Sequence, residues 1–243
     1  MSENIIIGRN PILEALKSGR TIDKLYIRKG APEPTITKIV GMAKRAGIPV
    51  TEADRQRLDS LAVGGNHQGV VATIGLYRYV TISDILQKAA DRGEAPFVVL
   101  CDRICDPHNL GAILRSANAA GAHGVVITKH DGVGVNATVD KVSAGAASIT
   151  PVARVGNLSA AILELQEAGL WVTGADWRGE TSLFDADFSG PVAIVIGNEG
   201  EGISRLVREK CDFLVKIPMR GQTESLNASV AAALFMFEVA RKR

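Results

Sequence analysis

The 243-residue sequence has no apolar run long enough to cross a bilayer, and its opening residues, MSENIIIGRN, lack a basic stretch followed by an apolar core. Neither a membrane span nor a secretory signal is expected. Cysteine is sparse, and Cys101, Cys105 and Cys211 form an odd set that fits a reducing, cytoplasmic setting. Cys101 and Cys105 with nearby His108 match no zinc spacing and have no evident fourth ligand. Buried structural thiols and no metal are the expectation. Internal repeats and low-complexity tracts are absent, and so is a phosphate-binding loop. GNEGEG at 197–202 is not G-x-G-x-x-G, and no Lys-Ser/Thr follows it. An ordinary nucleoside triphosphate site is thereby excluded.

What is present is the composition of a soluble globular protein, 46 % hydrophobic and 22 % charged, long enough for one small and one medium domain. The net charge of +2 conceals a division. Residues 1–93 hold 14 Lys and Arg against 9 Asp and Glu, whereas residues 94–243 hold 14 against 17. A basic front half points toward a polyanion. Helices are expected at 9–18, 36–47 and 53–62, ending at Gly19 and Gly47 in the first two cases, with strands at 23–30, from 48 and at 69–76. This makes a small α/β unit over 1–77. A helix within 78–95 serves as a linker. The domain at 96–243 alternates apolar strands with helices, the pattern of a parallel sheet covered on both faces.

Three stretches carry the chemistry. In DPHNLGAILRSANAAG, from 106, Asp106 and Pro107 start a helix, with Asn109 in its first turn and Arg115 and Asn118 sharing a face. The helix start with a cation and amides suits an anion or an RNA phosphate, and a surface arginine remains the plain alternative. In IVIGNEGEGIS, 194–204, a strand enters a glycine loop with a carboxylate, Glu199, at its centre. Glu199 either caps backbone amides or meets a cation. In KIPMRGQTESLNASVAAALF, from 216, Ser225 or Asn227 caps a helix of small residues made for close contact with a neighbour in the same chain or another. Strand, loop and helix in this order place a small molecule at the carboxyl edge of a sheet.

Taken together, NLGAILRSA, IVIGNEGEGIS and IPMRGQTESLNASVA resemble the three signature motifs of the SpoU-type RNA ribose 2′-O-methyltransferases of the SPOUT superfamily, over residues 96–241. Ala228 stands where a valine is common. The resemblance implies an α/β fold with a deep trefoil knot, S-adenosylmethionine as methyl donor and a homodimer. It casts Asn109, Arg115, Glu199, Ser225 and Asn227 as catalytic residues. Arg115 would assist the 2′-hydroxyl, Asn109 and Glu199 would orient it, and Ser225 and Asn227 would shape the loop. Gly197, Ile217, Met219, Leu226 and Ser229 would hold the cofactor. Residues 1–77 are similar to the small RNA-binding domain of the ribosomal-RNA branch and to ribosomal proteins that bind kink-turns.

The expected activity is therefore methylation of a guanosine ribose in bacterial large-subunit (23S) ribosomal RNA. A tRNA guanosine methylase and a resistance-type ribosomal adenosine methylase are the alternatives within the family. Outside it stands a non-catalytic ribosome-assembly protein, against which the intact Asn109, Arg115, Glu199 and Asn227 argue.

Overall fold

The structure, a computed structural model, describes residues 5–17, 22–30, 33–45, 48–74, 77–223 and 225–243. The helix stops expected at Gly19 and Gly47 lie outside them. The chain divides into two units, Met1–Arg78 and Tyr79–Arg243.

The first unit runs β1 (Ile5–Ile7), α1 (Arg9–Lys17), β2 (Ile22–Arg28), α2 (Pro34–Arg45), β3 (Val50–Ala53), α3 (Arg55–Ala62) and β4 (Val70–Ile74). Its sheet has the order β1-β4-β2-β3, with β2 and β3 parallel and the other pairs antiparallel. Apolar residues of both helices and strands, among them Ile12, Leu25, Ile39 and Val70, close one core. Strand β1 was not expected. It is only three isoleucines long and gains its place by pairing with β4, a long-range event that no local period announces.

The second unit begins with α4 (Ile82–Arg92), β5 (Phe97–Asp102), α5 (Pro107–Ala119), β6 (Gly124–Thr128) and α6 (Ala137–Val142). A 3₁₀ turn (Ala146–Ser148), β7 (Val152–Val155), α7 (Leu158–Glu167), β8 (Trp171–Ala175) and β9 (Thr181–Ser182) follow. It ends with β10 (Val192–Gly197), α8 (Arg205–Arg208), β11 (Phe213–Lys216) and α9 (Ala228–Lys242). The sheet order among the described residues is β7-β6-β5-β10-β8-β11-β9, and each pairing is parallel. The continuous apolar runs FVVLCD of β5 and VAIVIG of β10 are buried along nearly their whole length, as strands covered on both faces must be.

The helix expected as a linker is instead built into this second unit. Thr81 and Asp84 close a capping box on α4, and Gly93 ends it in the left-handed conformation. Its buried Ile82 and Ile85 join Val98, Leu100 and Val126 in the main core. Gly124 makes this seating possible, because a Cβ there would lie 2.6 Å from Ile85 Cδ1. The small-residue stretch at 141–150 resolves into the end of α6 and the 3₁₀ turn. Gly111 lets α6 approach α5 so closely that a Cβ would stand 2.7 Å from Val142 Cβ. Of the cysteines, Cys101 is buried, but Cys105 is exposed, contrary to expectation. Burial pushes the Cys101 and Cys211 thiols up to about 12, so both are inert as nucleophiles. No helix among the described residues is long and apolar enough to cross a membrane.

Candidate active site

Strand order changes direction between β5 and β10. The chain passes from β5 outward to β6 and β7, then places β8, β10 and β11 on the other side. Such a switch leaves a crevice beyond the carboxyl ends of the strands. The loops after β5, β8, β10 and β11 meet there.

Each loop is held by its own side chains. Asp106 caps α5 by accepting the His108 N–H at 2.8 Å, with Pro107 in the first turn. After β10, Asn198 turns the chain, its Oδ1 accepting the N–H groups of Gly200 (3.0 Å) and Glu201 (2.8 Å). The loop then folds back on itself, with Gly202 N–H donating to Asn198 O at 3.0 Å. This return is why residue 197 must be glycine: a Cβ there would lie 2.0 Å from the Gly202 carbonyl carbon. Buried Asp102, at the end of β5, accepts the Ser204 N–H at 2.6 Å and fixes the far end of the loop. Arg103 bridges to Glu201 at 2.5 Å, tying the β5 and β10 loops together.

At the centre, three residues distant in sequence share one hydrogen-bonded cluster. Asn109 Nδ2 donates to Glu199 Oε1. Asn227 Nδ2 donates to the same oxygen at 3.1 Å and to Asn109 Oδ1 at 2.9 Å. Asn227 Oδ1 caps α9, accepting the Ser229 N–H at 3.0 Å and the Ser229 hydroxyl at 2.6 Å. The glycine-loop carboxylate is thus a shared acceptor of two side-chain amides, which is neither the backbone cap nor the cation contact that the sequence left open.

Arg115 is not brought to this cluster. It stands six residues beyond Asn109, about 9 Å along the helix and about 240° around it. Asn109 is buried, whereas Arg115 is exposed and makes no hydrogen bond or ion pair among the described residues. It lies on the outward stripe of α5 with His108 and Asn118. Helix α9 packs against α5, and its own outward stripe is apolar, with Val230, Leu234 and Phe237 exposed.

Beside the cluster is a cavity of about 670 Å³. Ile196, Val215, Ile217, Leu226 and Phe235 give it an apolar wall, and Gly197, Glu199, Met219 and Ser225 also border it. Ser229 is not on this wall; its hydroxyl donates to Asn227, which does not border the cavity either. The sequence reading missed a fourth wall, the loop after β8 with Asp176, Trp177 and Arg178. The signal was available: GADWRG follows an apolar strand into a glycine-bearing loop, as the two recognised loops do. Among the described residues, no group of three or more His, Cys, Asp or Glu is arranged to hold a metal.

The first unit has a polar cavity of its own, about 620 Å³, bordered by Arg9, Arg28, Lys29 and Arg55 and by the carboxylates of Glu33 and Asp59, which pair with Arg9 and Arg55. His67 beneath it is fixed on both sides. Its Nδ1 accepts the Gly69 N–H at 2.9 Å and its Nε2 faces Asp59 Oδ1 at 3.0 Å.

Comparison with known proteins agrees with both units. Residues 96–237 match the SpoU rRNA methylase family, and residues 5–80 match the RNA 2′-O ribose methyltransferase substrate-binding family. The chain is 46 % identical over 238 residues to YacO of Bacillus subtilis (strain 168), assigned to the TrmH family of tRNA/rRNA methyltransferases, across 98 % of this chain and 95 % of YacO. It also resembles the AdoMet-bound rRNA methyltransferase from Sinorhizobium meliloti, with 27 % identity and a TM-score of 0.60, over 98 % of this chain and 87 % of that one. The A. aeolicus TrmH/SpoU tRNA modifying enzyme, 25 % identical with a TM-score of 0.56, covers 65 % of this chain and 84 % of its own. A family match over most of the second unit, joined to a relative aligned along almost its full length, makes the chain a member of the SpoU family of RNA ribose 2′-O-methyltransferases.

Proposed function

We propose that the protein transfers a methyl group from S-adenosylmethionine to the 2′-hydroxyl of a guanosine ribose in bacterial 23S ribosomal RNA, working in the cytoplasm as a homodimer. The observation that carries this reading is the convergence of Asn109, Glu199 and Asn227 beside the 670 Å³ cavity. The cavity suits the cofactor. Its apolar wall of Ile196, Ile217, Leu226 and Phe235 is a surface for adenine, with Gly197 and Met219 at its edge, and Glu199 offers a carboxylate to a cationic sulfur. When bound, the cofactor supplies a methyl group on that sulfur. The chain's own residues then hold the ribose in line for attack.

Arg115 cannot serve as the base, because a guanidinium stays protonated. Its role is to hold an RNA phosphate and to stabilise the alkoxide as it develops, the phosphate receiving the proton. From its place on the exposed flank of α5, Arg115 performs this role at the site of the second copy. The apolar stripe Val230, Leu234 and Phe237 on neighbouring α9 is the surface through which the copies join. A trefoil knot in this unit belongs to the same reading, as the family resemblance implies.

One observation favours ribosomal RNA over tRNA. The solved rRNA methyltransferase aligns across both units, whereas the tRNA modifying enzyme spans 65 % of the chain. The basic cavity of the first unit then takes the RNA backbone. The test is to map ribose methylation in total RNA from cells with and without the gene. Loss of one large-subunit guanosine mark is expected. A lost tRNA mark, or a lost ribosomal adenosine mark, overturns the substrate.

A further inference from the structure

Trp177 is 74 % exposed, more than any other large apolar side chain among the described residues. It borders the cavity beside the Asn109–Glu199–Asn227 cluster. An exposed indole is usually free to swing, but this one is braced. Its neighbour Asp176 is buried and accepts the Arg178 N–H at 2.9 Å. The same carboxylate holds the Arg178 guanidinium, 3.3 Å from each oxygen, and that guanidinium lies 4.4 Å from the indole centroid. Arg208 approaches Asp176 from α8 at 3.8 Å. The loop cannot drift from the sheet either. Gly179 N–H donates to Asp176 O at 3.0 Å, and Gly179 lies so close to β11 that a Cβ would stand 2.5 Å from Leu214 O.

The result is a flat aromatic surface at the border of the cavity, with the Arg178 guanidinium against it and Arg208 reaching the same Asp176 carboxylate. A protein partner with an apolar face would be poorly matched by the two arginines. Adenine of the cofactor has the apolar wall of Ile196, Val215, Ile217, Leu226 and Phe235, while Trp177, which borders the same cavity, leaves most of its indole in solvent. An unpaired nucleotide fits all three features, since bases stack on aromatic faces and guanidinium groups attract the phosphates between them. We propose that Trp177, braced by Arg178, is a stacking platform for an unpaired base of the RNA substrate, and so positions the neighbouring ribose at the cavity mouth. The inference rests on RNA being the substrate and goes beyond the cofactor and cluster residues assigned above.

The sequence contains two tryptophans, Trp171 and Trp177. Trp171 begins β8, at the opposite edge of the sheet, so Trp171→Phe leaves Trp177 as the only indole reporter. The full-length Trp171→Phe protein is titrated separately with single-stranded oligoadenylate and with S-adenosylhomocysteine. Quenching by the oligonucleotide is expected. Trp177→Ala should raise the KM for ribosomal RNA by about tenfold, the scale of one lost base stack, with unchanged affinity for S-adenosylhomocysteine. Trp177→Phe should recover most of that loss. Quenching by S-adenosylhomocysteine and not by RNA makes Trp177 a cofactor lid and overturns the proposal. So does an unchanged KM in Trp177→Ala. If the wild-type enzyme binds S-adenosylhomocysteine but no RNA, the substrate reading itself fails, and it does so before any variant is made.

Discussion

Asn227 has two separable jobs, and two substitutions pull them apart. Its Oδ1 caps α9, while its Nδ2 bridges Asn109 and Glu199. Asn227→Ala removes both. Loss of the cap costs about 1 kcal/mol. Asn109 is only 6 % exposed, and leaving its Oδ1 without a donor costs about 1–3 kcal/mol more. Glu199 is exposed, so water replaces the bond it loses. The sum, about 2–4 kcal/mol, corresponds to a fall in Tm of about 5–15 °C for a unit of this size.

Asn227→Asp keeps an oxygen where the cap needs one, and Asp caps as well as Asn. It replaces the bridging amide with a second acceptor, 3.1 Å from Glu199 Oε1 and 2.9 Å from Asn109 Oδ1. Two carboxylates at this separation in a water-exposed setting repel by about 1 kcal/mol. A negative charge at the start of α9 returns about 0.3–1 kcal/mol. Asn109 Oδ1 loses its donor here as in the alanine variant, at about 1–3 kcal/mol, so the retained cap is what separates the two: Asn227→Asp should lose about 1–4 kcal/mol and melt no lower than Asn227→Ala. The cluster opens as Glu199 turns away, and a shift of about 1 Å in a positioning group lowers turnover by about 100-fold. Thermal melts and methyl transfer to ribosomal RNA check the pair. If Asn227→Asp melts below Asn227→Ala, the cap is not a stabilising contact. If it keeps full turnover, the bridge is not part of the site.

Gly197→Ala forces a Cβ to within 2.0 Å of the Gly202 carbonyl carbon, so the glycine loop must retreat. Overpacking of this kind costs about 1–3 kcal/mol, and calorimetry should show S-adenosylhomocysteine binding about tenfold weaker or worse; unchanged affinity would mean that the loop does not wall the cofactor site. Leu234→Glu puts a charge into the apolar stripe of α9 and should convert the proposed dimer to monomer in sedimentation while circular dichroism stays unchanged; a persistent dimer would move the interface elsewhere. Buried His123 accepts the Phe97 N–H at 3.0 Å, and burial lowers its pKa below the ordinary 6.5, with Glu94 only partly opposing. Its stabilising contribution is complete above that value and is lost as pH falls through it toward the lower folded value, because the unfolded chain binds the proton first. Melts from about pH 7 to about pH 5 should show this slope, and His123→Asn, which keeps an acceptor that does not titrate, should flatten it. An equal slope in the variant would assign the effect to another group.

Much of the catalytic unit was legible because its signals are local. FVVLCD and VAIVIG are apolar without alternation, which only a strand covered on both faces tolerates. The glycine loop at 197–202 was readable as a turn beside a ligand, but that Gly197 must clear the carbonyl carbon of Gly202 was not. What stayed hidden was set by partners far along the chain. The helix α4 has a capping box and an amphipathic pattern in its own residues, but only Gly124, more than thirty residues away, shows that it seats on the sheet. The loop with Trp177 carried no familiar motif, so its glycine and its place after a strand went unweighted.

Arg115 was hidden for a different reason. The three motifs named Asn109, Arg115, Glu199 and Asn227 as one group, and the natural reading was that they meet in one chain. Helical geometry was already in the sequence and says otherwise: six residues on one helix cannot bring both side chains to one point. Asn109 turns inward to Glu199 and Asn227, and Arg115 turns outward with no hydrogen bond or ion pair among the described residues. In the role proposed for it, an arginine that faces away from the site on its own chain acts only where another surface arrives. The apolar stripe of α9, a helix packed against α5, is the surface proposed for the second copy. Catalysis and association are then one requirement, and a variant that only separates the copies should abolish methyl transfer while every residue of the Asn109 cluster remains intact.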